Sequence, residues 1–317
     1  MNKLNEDWML EPRPTDLTLE DYEGLTPRWC SGCGDTAVLS SVQRICRDEQ
    51  LAAEKIVVVS GIGCSSRFPH YMKTYGFHGL HGRAFPVACG VRSRRPDLHI
   101  FVATGDGDCC AIGTAHWIHA VRYNMNMTVM LFDNNIYGLT KKQSSPTTPR
   151  ESHSFTHPDG NALDPIKPLL VTLSISNVSF VAQTVDWNPI HLYNTLLAAH
   201  RHQGFSFVRI LQRCPHFTPY AYDKCQRDPD LITLLEHPDG IETGQPLKRI
   251  FKNRVEHDPG DLGTAMALAS RDDLHPIGLF YRNPQAIRYD QITREGIEMT
   301  VEEKRRALKE ELAKCQI

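Results

Sequence analysis

Short, unbroken apolar runs alternate through the first two-thirds of the chain with stretches where apolar residues return every three or four positions. Asp35 or Thr36 can cap the first helical stretch, which carries Val38, Val42 and Ile45 on one face and is predicted to run to about residue 53. The β-branched run at 55–60 follows, then apolar runs at 98–104, 127–132, 178–182 and 205–210. Runs without a polar face belong to strands buried on both sides, as in a parallel sheet covered by helices. Helical stretches to about residue 123 and at 189–201 separate them. Strands alternating with helices predict βαβ units, hence an α/β fold with a doubly wound, mostly parallel sheet.

The ends of the chain read differently. Residues 1–28 are acid-rich, contain Pro12, Pro14 and Pro27, show no sustained period, and are expected to form an N-terminal arm. Residues 29–225 form the predicted main domain. From 226 to 317 prolines and polar residues break up short apolar pieces, so this stretch is expected to be a C-terminal extension packed on that domain. It closes with a charged helix at 300–314.

Composition narrows the function. Of 317 residues 41% are hydrophobic and 23% charged, with a formal net charge of -2. That balance gives no reason to expect a nucleic-acid or anionic-membrane partner. No run approaches the roughly 18–20 apolar residues that cross a bilayer. The first residues lack a basic-plus-apolar leader pattern, so a cytoplasmic location is expected. Ten cysteines in such a chain are expected to be buried, catalytic or metal-bound rather than disulfide-paired.

Two polar clusters sit at predicted strand ends, where parallel sheets bind ligands. Gly105-Asp106-Gly107-Asp108 lies between a strand and a helix start. Its glycines admit close backbone approach, and the helix start offers free N–H groups to phosphate oxygens. A carboxylate amid such groups needs a bridging cation, and Asp106 with Mg2+ meets that need. One βαβ step later comes Asp133-Asn134-Asn135-Ile136-Tyr137-Gly138, where Asn134 can offer an oxygen to the same ion. Together the two clusters resemble the thiamine diphosphate fingerprint. That resemblance implies that Asp106, Asn134 and the Ile136 carbonyl hold Mg2+.

The cysteines add a second signal. Cys30-Ser31-Gly32-Cys33 is a clamp that sets two thiolates on one metal centre, Cys64 follows the first buried strand, and Cys214 ends the late one. By spacing alone the four suit zinc or an iron–sulfur cluster equally; a neighbouring thiamine site gives a redox centre a use. Cys225 is the alternative fourth ligand. Cys46, Cys89, Cys109, Cys110 and Cys315 read as core or incidental.

Five ordered motifs between about residues 26 and 225 are similar to the β subunits of 2-oxoacid:ferredoxin oxidoreductases. They are Cys30-Ser31-Gly32-Cys33-Gly34-Asp35, Gly61-Ile62-Gly63-Cys64-Ser65, His81-Gly82-Arg83-Ala84, the Gly105–Asp108 cluster, and the segment from Asp133 through Gly138, Leu139 and Gln143 to Thr148. The resemblance implies a thiamine diphosphate-binding fold. It implies a 4Fe-4S cluster on Cys30, Cys33, Cys64 and Cys214. It places the thiamine cofactor against Ile62, Gly63, Cys64, Ser65, His81, Gly105, Gly107, Asp108, Gly138 and Leu139. It also implies oxidative decarboxylation of a 2-oxoacid, with coenzyme A taking the acyl group and ferredoxin the electrons. The glutamate that activates the cofactor has no second domain to sit on here. It is therefore expected on the pyrimidine-side domain of an α subunit, in an αβ dimer of dimers. Lys141 follows the metal loop and favours 2-oxoglutarate, whose second carboxylate wants a cation, over pyruvate. The competing readings are a non-redox thiamine subunit with structural zinc, and a zinc-stabilised interaction module without catalysis.

Overall fold

The computed structural model describes residues 16–271, 274–293 and 299–314. Nine strands form one sheet: β1 Ile56–Ser60, β2 Tyr75–His78, β3 His99–Gly105, β4 Met127–Asp133, β5 Phe180–Val185, β6 Phe205–Leu211, β7 Ile232–Glu236, β8 Asn253–Glu256 and β9 His275–Arg282. Their order is β2-β1-β3-β4-β6-β5-β9-β7-β8. Every pairing is parallel except β5 with β9. The doubly wound, mostly parallel sheet read from the sequence is present.

The central strands carry the apolar runs because both of their faces are covered. All residues of β1 and β4 are buried. Alternate side chains feed two cores. On one face Val58, Phe101, Met130 and Val208 meet α1 (Asp35–Asp48) through Val38, Val42 and Ile45. On the other, Val57, Val102, Val129 and Phe207 meet α2 (Ala84–Arg94) and α3 (Thr114–Tyr123). There the Trp117 ring stacks on Phe207 at 5.4 Å between centroids.

The sequence-based boundaries shift in places, for local reasons. The first helix stops at Asp48, short of residue 53, because Gln50 adopts φ 49° and the Leu51 N–H bonds back to the Cys46 carbonyl. Tyr22 of the arm is fully buried there, and its hydroxyl donates to the Leu51 carbonyl at 2.7 Å, with the Cys46 carbonyl beside it at 2.9 Å. Arm residues 1–15 lie outside the described residues. β2 escapes sequence reading because all four of its residues are exposed on a sheet edge.

The stretch after 225 does more than pack on the main domain. It extends the sheet by β7, β8 and β9, and its small core joins Val185 and Leu211 to Ile232, Leu234 and Ile277 across the predicted boundary. The closing helix is Val301–Lys314 and buries none of its residues. Without β9, β5 would present an unpaired edge, a template for aggregation. A chain ending at residue 225 is expected to precipitate on expression, or to unfold without cooperativity, when assayed by solubility and circular-dichroism melting. A soluble fragment with a sharp transition would show that the added strands are dispensable.

Candidate functional site

The chain runs outward from β1 to the edge strand β2 and then returns to β3 on β1's other side. Reversals of this kind open a crevice beyond the carboxyl ends of the strands. Here the crevice is a cavity of about 490 Å³ built from the turns after β1, β3 and β4. Ile62, Gly63, Cys64 and Ser65 line it after β1, Gly105 to Asp108 after β3, and Asn134, Ile136, Tyr137, Gly138 and Leu139 after β4, with His81 beside them. All of the residues that the sequence resemblance assigned to thiamine or Mg2+ therefore face one cavity. β3 and β4 are direct neighbours, with Gly105 opposite Phe132, so their terminal turns lie side by side.

The two aspartates of the Gly-Asp-Gly-Asp turn have separate tasks. Asp108 is a buried tie. Its carboxylate accepts hydrogen bonds from the Ile62 N–H (3.0 Å), the Gly82 N–H (2.7 Å) and the Thr104 hydroxyl (2.8 Å), and it pairs with His81 Nδ1 (2.7 Å). It thereby fixes the β1 turn and the 81–82 turn against β3. A Cβ on Gly61 would strike this carboxylate, so glycine is required there. Likewise a Cβ on Gly107 would strike the Tyr137 ring, whose hydroxyl donates to the Gly107 carbonyl at 3.2 Å.

Asp106 is also buried, and its Oδ2 accepts from Ser145 at 2.5 Å and Thr147 at 2.6 Å. The same Thr147 hydroxyl lies 2.8 Å from Asp133 Oδ1. One hydroxyl proton cannot serve two carboxylates. A further proton or a cation is needed between them. Burial, and next the neighbouring Asp133, raise the Asp106 pKa to about 7. Asp133 in turn pairs with Arg209 at 2.6 Å. Arg209 reaches the Gln183 amide oxygen at 3.1 Å, extending the network across β4, β6 and β5. Asn134 Oδ1 accepts from the Ile136 N–H at 3.2 Å, which shapes the turn that brings both residues to the cavity.

The predicted thiolates come from three segments tied together. The Cys33 N–H closes a turn on the Cys30 carbonyl at 3.0 Å, with Gly32 at φ 78°. The Gly34 N–H bonds to the Arg213 carbonyl, and the Gln212 amide reaches Cys33 Sγ at 3.4 Å, joining this turn to the Cys214 segment. Trp29 Nε1 donates to the Cys64 carbonyl at 2.7 Å. Burial above all, then Asp35 and the other thiols, raises the Cys33 pKa well above its usual value and that of Cys64 to about 12. Cys214 acts on both, and Cys30 on Cys64. Cys225 is instead packed with Val185, Ile232 and Leu247 in an apolar core. Among the described residues no three His, Cys, Asp or Glu side chains close around a single point.

Some placements differ from the sequence reading or extend it. Lys141 is exposed at φ 73° and does not line the cavity, whereas its neighbours Thr140 and Gln143 do. Arg83 bonds to the Gly82 and Ile112 carbonyls and acts as a turn residue. Ser145, Thr147, Asp133 and Arg209 were given no role from sequence. Ser145 and Thr147 stand in a quoted motif, but only the folded 137–148 loop sets them over Asp106.

Comparisons with known proteins agree on what this site resembles. Residues 61–210 match the family profile "Thiamine pyrophosphate enzyme, C-terminal TPP binding domain". The chain is 44% identical over 201 residues to 2-oxoglutarate oxidoreductase subunit KorB of Mycobacterium tuberculosis, covering 63% of this chain and only 54% of that relative. It is 34% identical over 273 residues to the 2-oxoacid:ferredoxin oxidoreductase subunit beta of Sulfolobus sp, covering 83% of this chain and 84% of the relative. A solved 2-oxoglutarate:ferredoxin oxidoreductase from Magnetococcus marinus, with 2-oxoglutarate, coenzyme A and succinyl-CoA bound, superposes with a TM-score of 0.79 at 36% identity. The superposition covers 91% of this chain and 94% of that one.

The separate tasks of the two aspartates are testable by thermal unfolding without added metal. Asp108→Ala strands the Ile62 and Gly82 N–H groups and is expected to cost on the order of 3 kcal/mol. Asp106→Asn should behave oppositely and with pH dependence. The raised pKa means that Asp106 contributes fully below its ordinary 3.8, and that this contribution is lost as pH rises through about 7. The variant should therefore melt higher, relative to wild type, at pH 8 than at pH 5. Equal shifts at both pH values would contradict the assignment.

Proposed function

Because this chain belongs to the family of 2-oxoacid:ferredoxin oxidoreductase β subunits, we propose that it forms the diphosphate-binding half of a 2-oxoglutarate:ferredoxin oxidoreductase. The reaction converts 2-oxoglutarate, coenzyme A and oxidised ferredoxin to succinyl-CoA, CO2 and reduced ferredoxin, reversibly. Each turnover releases one proton and two electrons, so two one-electron carriers are reduced. The observation that carries the reading is the single cavity lined by every residue assigned to thiamine or Mg2+.

The residues fit those cofactors. Crowding of Asp106 by Asp133, with one hydroxyl proton between them, is what a divalent cation would relieve. Asn134 and the Ile136 carbonyl would complete an all-oxygen donor set of the kind Mg2+ prefers. Gly105 leaves room for the diphosphate, Gly107 admits the Tyr137 ring beside it, and Asp108 holds the surrounding turns. Thiamine diphosphate supplies, when bound, a nucleophilic carbon and a sink for the charge that departing CO2 leaves behind. Cys30, Cys33, Cys64 and Cys214 would hold a 4Fe-4S cluster, with Cys64 on the cavity wall, the position from which electrons can leave the reacting centre singly.

The protein's own part is positioning. Tyr137 braces the turn after β3, His81 is oriented by Asp108, and Thr140, Gln143, Ser144 and Thr156 add polar groups to the cavity wall. Lys141, on the exposed turn beside Thr140, is our candidate for the second carboxylate of the substrate once the cavity mouth is covered. That cover would be the α subunit, which would also bring the activating glutamate, in a cytoplasmic αβ dimer of dimers.

Two measurements test this. In the complex purified without oxygen, Ala at Cys30, Cys33, Cys64 or Cys214 should each abolish the broad absorbance near 400 nm and the bound iron. Ala at Cys46 or Cys225 should leave both intact. Full iron in Cys214→Ala would remove it as the fourth ligand, and a colourless wild type with stoichiometric zinc would remove the cluster altogether.

The second is coenzyme A-dependent viologen reduction with different 2-oxoacids. A clear preference for 2-oxoglutarate over pyruvate is expected. A charge-assisted hydrogen bond is worth roughly 1.5–3 kcal/mol, so Lys141→Ala should lower kcat/KM for 2-oxoglutarate about tenfold to a hundredfold and leave pyruvate nearly unchanged. Preference for pyruvate would overturn the substrate.

A further inference from the structure

We propose that the electron carrier docks, through an acidic face, on the cleft that opens beside the Cys30–Cys33 turn; this rests on the cluster assignment above. The cleft, of about 610 Å³, is lined by Trp29, Cys30, Cys33, Thr36, Ser40 and Arg213 among others. It shares no lining residue with the substrate cavity, although the two are separated by single peptide links. Asp35 and Gln212 face the substrate cavity, whereas their neighbours Thr36 and Arg213 face the cleft. The cysteines divide in the same way: Cys64 lines the cavity, and Cys30 and Cys33 line the cleft. Electrons taken up on the Cys64 side thus have a separate exit at Cys30, which is exposed.

The chemistry around the exit suits an anionic partner. Among the described residues no acidic side chain lines the cleft. Arg213 does, and Arg28 and Arg44 are exposed nearby in the chain, Arg44 one helical turn beyond Ser40 on the face of α1 that carries Thr36 and Ser40. Arg67 adds a fourth guanidinium, 3.3 Å from the Arg28 carbonyl. The carboxylates next to the cleft, Asp35 and Asp186, are buried, and Asp186 is paired with Arg213; the exposed Asp48 lies a turn beyond Arg44, away from the cleft. A cleft rim that carries guanidinium groups while its own carboxylates are buried selects a negatively charged protein and speeds its encounter.

The test uses the whole αβ complex, with a 4Fe-4S ferredoxin of net negative charge and methyl viologen as alternative acceptors. Thr36→Glu with Ser40→Glu places two carboxylates on the rim without touching a proposed ligand. The double variant should raise the KM for ferredoxin at least tenfold, with the viologen rate and iron content unchanged, and Ser40→Lys should lower that KM. An unchanged ferredoxin KM in the double variant overturns the docking site. If the double variant loses viologen activity through misfolding, Ser40→Lys decides, and no change there overturns it equally. Failure of the cluster assignment looks different, because the wild type itself would then hold no iron and reduce no viologen.

Discussion

A single hydroxyl stands between two buried carboxylates, and much of the site is arranged around that fact. Thr147 reaches both Asp106 and Asp133, which brings the turns after β3 and β4 together from neighbouring strands. Asp133 is held from behind by Arg209 on β6, and its backbone carbonyl accepts the Tyr222 hydroxyl at 3.1 Å and the Gln212 N–H at 3.0 Å. The sheet therefore delivers Asp106 to the cavity wall with Asp133 fixed behind it. A buried pair of that kind is costly alone and favourable next to a cation. The energetic tension is local, while its support spreads over four strands.

The same logic explains why the two halves of the site are rigidly coupled. Asp108 ties the turn after β1 to the 81–82 turn, and Gln212 ties the turn after β6 to Cys33. The turn that carries Cys64 is thus gripped from the cofactor side by Asp108 and from the arm side by Trp29, which packs against Tyr71 at 4.6 Å. Displacing the Cys64 turn would therefore break hydrogen bonds to both Asp108 and Trp29.

How much of this was legible in the sequence depends on burial and on loop length. β1, β3 and β4 announce themselves because both faces are covered, and the turns that follow them carry most of the chemistry. β2 does not, because an exposed edge strand such as Tyr75-Gly76-Phe77-His78 has no apolar rhythm. The strands after residue 225 are short, interrupted by prolines, and depend on β5 for their pairing. Ser145 and Thr147 lie in an irregular loop, where no period says which hydroxyl turns inward. Lys141 is exposed beside the cavity rather than in its wall, because nearness in sequence to the turn after β4 does not fix the direction of a side chain on an irregular turn. Cys214 is preferred to Cys225 already on sequence, from its place at a strand end, and the packing of Cys225 in an apolar core accords with that choice.

The antiparallel joint between β5 and β9 divides the sheet into two blocks that point in opposite directions. Strand ends that form ligand sites in the first block lie on one edge, and those of β7, β8 and β9 lie on the other. The turns leaving β7 and β8, at 237–244 and 257–261, accordingly open away from the chemistry. Insertions, deletions and appended modules at those turns leave the reacting edge unaltered. The far edge of the sheet is thus where the chain can change length at the least cost to the cavity.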